Sequence, residues 1–173
     1  MKIAYTMTGQ RGDIDQLLLQ LAQTLQGQGH RPAGIVQINT ERDCDGPCDM
    51  DVKVLPDGPV LRISQSLGRG SKGYRLDPGA LEAAVGHVDR SLAKQPYCLI
   101  VNKFGKQEAG GAGFRDVIAE ALSRGIPVLV GLNPLNAPAF EDFSAGLAIE
   151  LKPAEDNLLR WLKEPSLKAE RTA

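Results

Sequence analysis

A chain of 173 residues, 42% apolar and 24% charged, has the length and composition of a single globular domain. Its 20 basic residues nearly match its 21 acidic ones and no basic run stands out, so binding nucleic acid through a broad positive face is not expected. There is no apolar run of the ~20 residues a membrane span needs, no leader-like start, and only three cysteines, so a cytoplasmic protein with neither membrane insertion nor a disulfide framework is expected.

Lys2 to Thr8 is a short apolar run that stops at Gly9, as a buried parallel strand does. Ile14, Leu17, Leu18, Leu21, Ala22 and Leu25 then mark one face of a helix, with Asp13 expected at its N-cap and Gly27 or Gly29 at its end. GIVQIN (34–39) is the next strand, completing a βαβ unit. MDVKVL (50–55) and VLRISQ (60–65) flank Pro56-Asp57-Gly58-Pro59 and predict an antiparallel hairpin. A polar loop, SLGRGSKGYR, leads to Asp77-Pro78, the cap and first position of a second helix. CLIV (98–101) predicts a buried strand. Glycine-rich EAGGAG joins it to a third helix facing inward through Phe114, Val117, Ile118, Ala121 and Leu122 and stopping at Gly125. PVLVGL (127–132) and LAIEL (147–151) are the last strands, and residues 157–163 a short closing helix. Residues 1–163 form one domain with no internal repeat, and 164–173 a charged, flexible tail. The alternation predicts an α/β fold: a mostly parallel sheet, covered on both faces, with an inserted hairpin.

Open parallel sheets bind ligands beyond the carboxyl ends of their strands, where loops meet helix N-termini. The first such loop is TGQRGDIDQ, Thr8 to Gln16. It resembles the P-loop of the thermophilic nucleoside-triphosphatases, which runs Gly-x-x-Gly-x-Gly-Lys-Thr. Gly9 and Gly12 match. Ile14 replaces the third glycine, Asp15 the lysine, and Gln16 the hydroxyl that holds Mg²⁺. The lysine neutralises phosphate charge, so an aspartate there opposes a triphosphate by on the order of a few kcal/mol in a partly dehydrated site. Where P-loop enzymes place an acid for Mg²⁺, CLIV ends in Asn102-Lys103, so no standard Mg²⁺ site is expected. Backbone N–H groups of Gly9, Gln10, Arg11, Gly12 and Asp13 can still attract an anion. The glycines alone also fit a tight strand-to-helix turn.

Taken together, CDMD (48–51), ISQSLGRGSKGYRLD (63–77), VNKFGKQEA (101–109) and GIPVL (125–129) resemble an uncharacterised bacterial family, domain-of-unknown-function family 2478. The resemblance covers the chain from its first strand to about Leu151. It implies a three-layer P-loop NTPase-like fold related to the thermophilic nucleoside-triphosphatases. Genes of that family tend to lie beside molybdate-transport genes, so the resemblance also implies an association with molybdenum.

Further candidates surround this loop. Arg69, Ser71, Lys72 and Arg75 in the polar loop suit phosphate or a tetrahedral oxyanion such as molybdate, and equally suit a solvated surface. Asn102-Lys103 begins like the guanine-reading Asn-Lys-x-Asp motif but has Gly105 where the aspartate belongs. Lys103 is instead expected to aim at the shared anion site, with Glu108 as a nearby acid or base. Cys44 and Cys48, among aspartates, are candidates for a soft metal but lack a second ligand pair. No nucleophilic triad can be assembled around His30 or His87.

The leading expectation is a protein that binds a nucleotide, phosphate or molybdate with little or no hydrolysis. One rival is an active nucleoside-triphosphatase or kinase using Arg11 or Lys103, with Glu108 as base. The other is a protein-interaction module whose loop is vestigial. Self-association into a homo-oligomer is left open.

Overall fold

Apolar strands alternating with one-sided helices build three layers. The computed structural model describes residues 1–10, 12–40, 49–65 and 75–165. Seven strands make one sheet: β1 (Ile3–Thr6), β2 (Ala33–Thr40), β3 (Asp49–Leu55), β4 (Val60–Arg62), β5 (Leu99–Phe104), β6 (Val128–Leu132) and β7 (Ile149–Leu151). Their order is β4-β3-β2-β5-β6-β1-β7. The run from β2 to β7 is parallel, while β3 pairs antiparallel with both β2 and β4. This is the expected mostly parallel sheet with its inserted hairpin.

Side chains alternate across the sheet with a period of two. Ile35, Leu99, Val101, Val128 and Val130 face α2 (Pro78–Leu92), α4 (Arg115–Ser123) and α5 (Ala137–Ser144). Ala4, Val36, Ile100 and Leu129 face α1 (Asp13–Gly27) and α6 (Glu155–Lys163). Within α6, Leu158, Trp161 and Leu162 are buried, each contributing about 1.5–3 kcal/mol of transfer free energy. Lys2 ties this helix to the start of the chain. Its ammonium donates to the Leu162 carbonyl at 3.2 Å and to that of Glu164, and lies 4.9 Å above the Trp161 ring. Burial lowers the Lys2 pKa, opposed by the Glu164 carboxylate.

Several boundaries differ from the sequence reading. The N-cap of α1 is Gly12, at φ +93°, and Asp13 is an exposed first-turn residue whose charge favours the helix dipole. In α2 the expected cap is present, with Asp77 Oδ1 accepting from Ala80 N at 3.1 Å. β4 stops at Arg62, three residues short, and beyond it the chain turns from β3 to pair with the segment before α2, through the bridge Ser64–Leu76 and the bond from Gln65 N to the Arg75 carbonyl at 2.8 Å. The glycine-rich connection after β5 holds a one-turn helix, α3 (Lys106–Ala109). Between β6 and β7 a 3-10 turn (Pro134–Asn136) and α5 follow one another; both contain proline and are too short for helical periodicity to register. α5 nevertheless supplies Phe140, packed edge-on against Tyr5 at 5.5 Å and Phe104 at 5.1 Å. Most of the expected flexible tail, residues 166–173, lies outside the described residues. Among the described residues no helix is long and apolar enough to cross a membrane.

Two glycines within strands are required by the close approach of a neighbouring strand's carbonyl. A Cβ on Gly34, at φ +115°, would fall 1.9 Å from the Ile100 carbonyl oxygen. One on Gly131 would fall 2.0 Å from the Asn102 carbonyl oxygen and 3.0 Å from Ile14 Cγ1. Replacement of Gly131 by alanine must therefore part β5 from β6 or lift α1. Gly131→Ala is expected to lower the unfolding free energy by roughly 3 kcal/mol, seen as a lower urea midpoint at unchanged slope.

Cys98 is fully buried, and burial pushes its thiol up to about 12. A free thiol titrates at ~8.5, so the protonated form is the one the fold favours. Its contribution to stability is complete below that pH and declines as pH rises through the folded value. In native protein at pH 8.5, mass mapping after iodoacetamide treatment should find Cys98 unmodified. Unfolding in urea should expose it to reaction.

Candidate functional site

β2 and β5 pair only from Ala33–Leu99 to Ile35–Val101. Beyond that register they part, and the pairing of β5 with β6 shifts between Val101 and Phe104. A side chain takes over the ladder. Asn102 Oδ1 accepts the Gln37 backbone N–H at 2.9 Å, and Asn102 Nδ2 donates to Asp15 Oδ1 at 2.7 Å. Both Asn102 (2% exposed) and Asp15 (4%) are buried. The Lys103 ammonium lies 2.9 Å from Asp15 Oδ1 and 3.2 Å from Oδ2, and 3.2 Å from Gln37 Oε1. A buried carboxylate without donors costs several kcal/mol, so Asp15 depends on this pair of partners from β5. The Lys103 side chain is 42% exposed, so the ion pair is partly solvated and its own coupling is modest.

Lys103, expected to aim at a shared anion site, is engaged by Asp15, and the charge of the acid is met by that ammonium. Asn102 also has its side-chain oxygen and nitrogen engaged inside the protein.

The loop itself is open. Gly9 and Gln10 are exposed, and a Cβ on Gly9 would meet nothing within 4 Å, so no contact inside the described structure requires glycine there. Gly12 needs its positive φ, and its carbonyl accepts the N–H groups of Asp15 at 3.0 Å and Gln16 at 3.2 Å. Thr8 Oγ1 donates to the Gln10 carbonyl at 3.2 Å. Arg11, Arg69, Ser71 and Lys72 lie outside the described residues, as do Cys44 and Cys48. Among the described residues no three histidine, cysteine, aspartate or glutamate side chains gather as a metal site.

Glu108 is 3% exposed, and its carboxylate closes the glycine-rich turn. Oε2 accepts the Gly105 N–H at 2.8 Å and Oε1 the Phe114 N–H at 3.0 Å. A Cβ on Gly113 would strike Oε1 at 2.2 Å, which explains the glycine. With each oxygen accepting a main-chain N–H, the carboxylate cross-links the turn between α3 and α4.

Arg75 is half-buried and lines a cavity of about 330 Å³ on the α2 side of the fork between β2 and β5. A larger one, about 520 Å³, opens at the opposite, amino end of β2 and β5 beside His30, Arg31 and Tyr97. Parallel sheets place ligands at carboxyl ends, so the smaller cavity is the one to weigh. Gln37, central to the fork, was not singled out from sequence. Its position, two residues after the last β2 residue paired with β5, is the signal that would have found it.

The fold is α/β and P-loop NTPase-like, a mostly parallel seven-stranded sheet with an antiparallel pair. A solved human protein described as a cancer-related nucleoside triphosphatase superposes with a TM-score of 0.57 over 94% of each chain, at 17% identity. The chain belongs to the family described as Protein of unknown function (DUF2478), which matches residues 3–161. It is also 32% identical over 170 residues to a Bradyrhizobium diazoefficiens protein described as Molybdenum import ATP-binding protein ModC 2. That match takes in 98% of this chain but 19% of the relative, so the chain spans about a fifth of that protein's length.

The ion pair can be measured directly. Urea unfolding of Asp15→Asn, Lys103→Met and the double variant should give a coupling energy of about 1 kcal/mol. Additive losses would mean that the two groups do not interact.

Proposed function

We propose that this domain binds a nucleotide or an oxyanion at the β1–α1 loop, with little or no hydrolysis, and serves molybdenum transport or use. The observation that carries the reading is the Asp15–Lys103 pair at 2.9 Å. A triphosphatase of this fold presents a lysine from the loop to the β- and γ-phosphates. Here the corresponding position is acidic and consumes the nearest ammonium group. An arriving anion must compete with Asp15 for Lys103, and Asn102-Lys103 stand in β5 where the acid that holds Mg²⁺ belongs. The phosphate loop is degenerate in this sense: it retains the turn and lacks the charges of catalysis.

Ligand contacts would come from the main chain of Gly9, Gln10, Arg11, Gly12 and Asp13 at the positive end of a 15-residue helix. Arg69, Lys72 and Arg75 are the candidates for the remaining charge, and Ser71 for a hydroxyl contact. The link to molybdenum rests on the relative described as a molybdenum import ATP-binding protein. Because that relative is so much longer, its resemblance also supports a second reading: an interaction module working beside a transport ATPase.

Thermal melting with ATP, GTP, phosphate, molybdate and tungstate tests binding. A shift from at least one is expected, and none from any would favour the interaction module. Phosphate release from ATP or GTP should stay below ~0.01 s⁻¹, far under the ~10 s⁻¹ of an ordinary enzyme, and steady turnover near that ordinary rate would overturn the reading. Exchanging the pair, Asp15→Lys with Lys103→Asp, keeps opposite charges in contact and puts the ammonium on the helix. This variant should bind ATP about tenfold more tightly than the native protein.

A further inference from the structure

We infer that β7 is a docking edge for a second copy of this chain: two copies pair β7 against β7, antiparallel, and join their sheets into one. β7 ends the sheet, so its outer side has no strand beside it among the described residues. Which residues face out follows from the ladder. Val128 N donates to the Lys2 carbonyl at 3.0 Å, so even-numbered residues of β1 point their main-chain groups at β6 and odd-numbered ones at β7. In the parallel register Ala4–Ile149 and Thr6–Leu151, Ile149 and Leu151 then turn theirs toward β1. The Thr6 hydroxyl donates to the Leu151 carbonyl at 2.9 Å on that side. Glu150 and, by the same alternation, Ala148 turn theirs outward.

The side chains along this edge do not suit water. Sheets protect a free edge with charge, with proline or with a covering segment. Here Leu147 is 59% exposed and Ile149 56%, with Leu151 half-buried, an apolar row at a spacing of two on the face that carries α6. Glu150 lies on the opposite face, where its carboxylate accepts from the Tyr5 hydroxyl at 3.4 Å. Lys152 and Pro153 come after the row. The Lys152 carbonyl accepts from Ala154 N at 2.8 Å as the chain turns away, so neither residue shields it.

A copy related by a two-fold axis at Ile149 covers the row. Ile149 then meets the partner's Ile149, and Leu147 meets the partner's Leu151. Ala148 and Glu150 exchange main-chain hydrogen bonds with the partner's Glu150 and Ala148, and no like charges are opposed. An axis at Glu150 would set carboxylate against carboxylate. One at Leu151 would oppose Ile149 to proline and leave Leu147 bare. α6 favours the same arrangement. It carries Glu155 and Asp156 in its first turn and Arg160 and Lys163 in its last. The two-fold copy runs its α6 the other way on the same sheet face, so acidic and basic ends lie toward each other.

Sedimentation equilibrium of the full chain over ~1–200 µM should show monomer and dimer in exchange, with half-dissociation on the order of 10 µM. Ile149→Lys should weaken the dimer about tenfold and melt as cooperatively as the native protein, because the side chain is exposed. The proposed axis makes position 149 a non-hydrogen-bonded pair, with Cα atoms about 4.5 Å apart and within disulfide range. Under mild oxidation Ile149→Cys should therefore link two chains at that position, as peptide mass mapping would show, and Glu150→Cys should not link to itself. A full chain that stays monomeric throughout would overturn the inference, as would a dimer that Ile149→Lys leaves unchanged. So would a chain that dimerises only after removal of residues 166–173, which would make that segment the occupant of the edge. None of these readouts depends on a ligand at the loop.

Discussion

A carboxylate buried in the first turn of a helix has to find donors, and Asp15 finds them on a strand that is not its neighbour. α1 follows β1, yet the amide of Asn102 and the ammonium of Lys103 come from β5, with β6 lying between. The helix therefore crosses β6 at its start. Gly131 makes the crossing feasible, since any side chain there would collide with the Asn102 carbonyl and Ile14. The same Asn102 that accepts from Gln37 donates to Asp15, so the splay of the strands and the seat of the helix are settled together.

The chemistry inherits that arrangement. In a triphosphate site the charges nearest the loop are arranged for the ligand, and in the empty protein they repel one another or wait in water. In this protein Asp15 and Lys103 meet each other. Under the proposed function such a site would bind by exchange, an anion gaining from Lys103 what Asp15 loses, and since transition-state stabilisation needs donors that are not already committed, catalysis would suffer more than binding.

The sheet, its hairpin and three of the longer helices were legible in the sequence because each carries either uninterrupted apolar runs or a clear 3.6-residue stripe. The capping of α2 by Asp77 was equally plain. α3 and α5 were not, because a helix of one or two turns shows too little periodicity and both lie in segments rich in glycine or proline. At the candidate site, the positions of Gly9, Gly12, Asp15, Asn102 and Lys103 could be read as belonging together at the strand ends. What could not be read was the pairing among them. The sequence pattern puts Asp15 and Lys103 both at the carboxyl ends of strands, but the sign of the interaction with a ligand turns on a contact of under 3 Å between residues 88 apart in sequence. Glu108 shows the same limit, since a glycine-rich loop gives no warning that a carboxylate will be used to staple it.

Lys2 reaches from the beginning of the first strand to the carbonyls that close α6, so the two extremities of the fold leave from one corner. A module with adjacent exits can be appended to a larger polypeptide, or spliced into one of its surface loops, without drawing the central strands apart. The grip of a single ammonium on the last helical turn thus gives the domain the portability of a cassette.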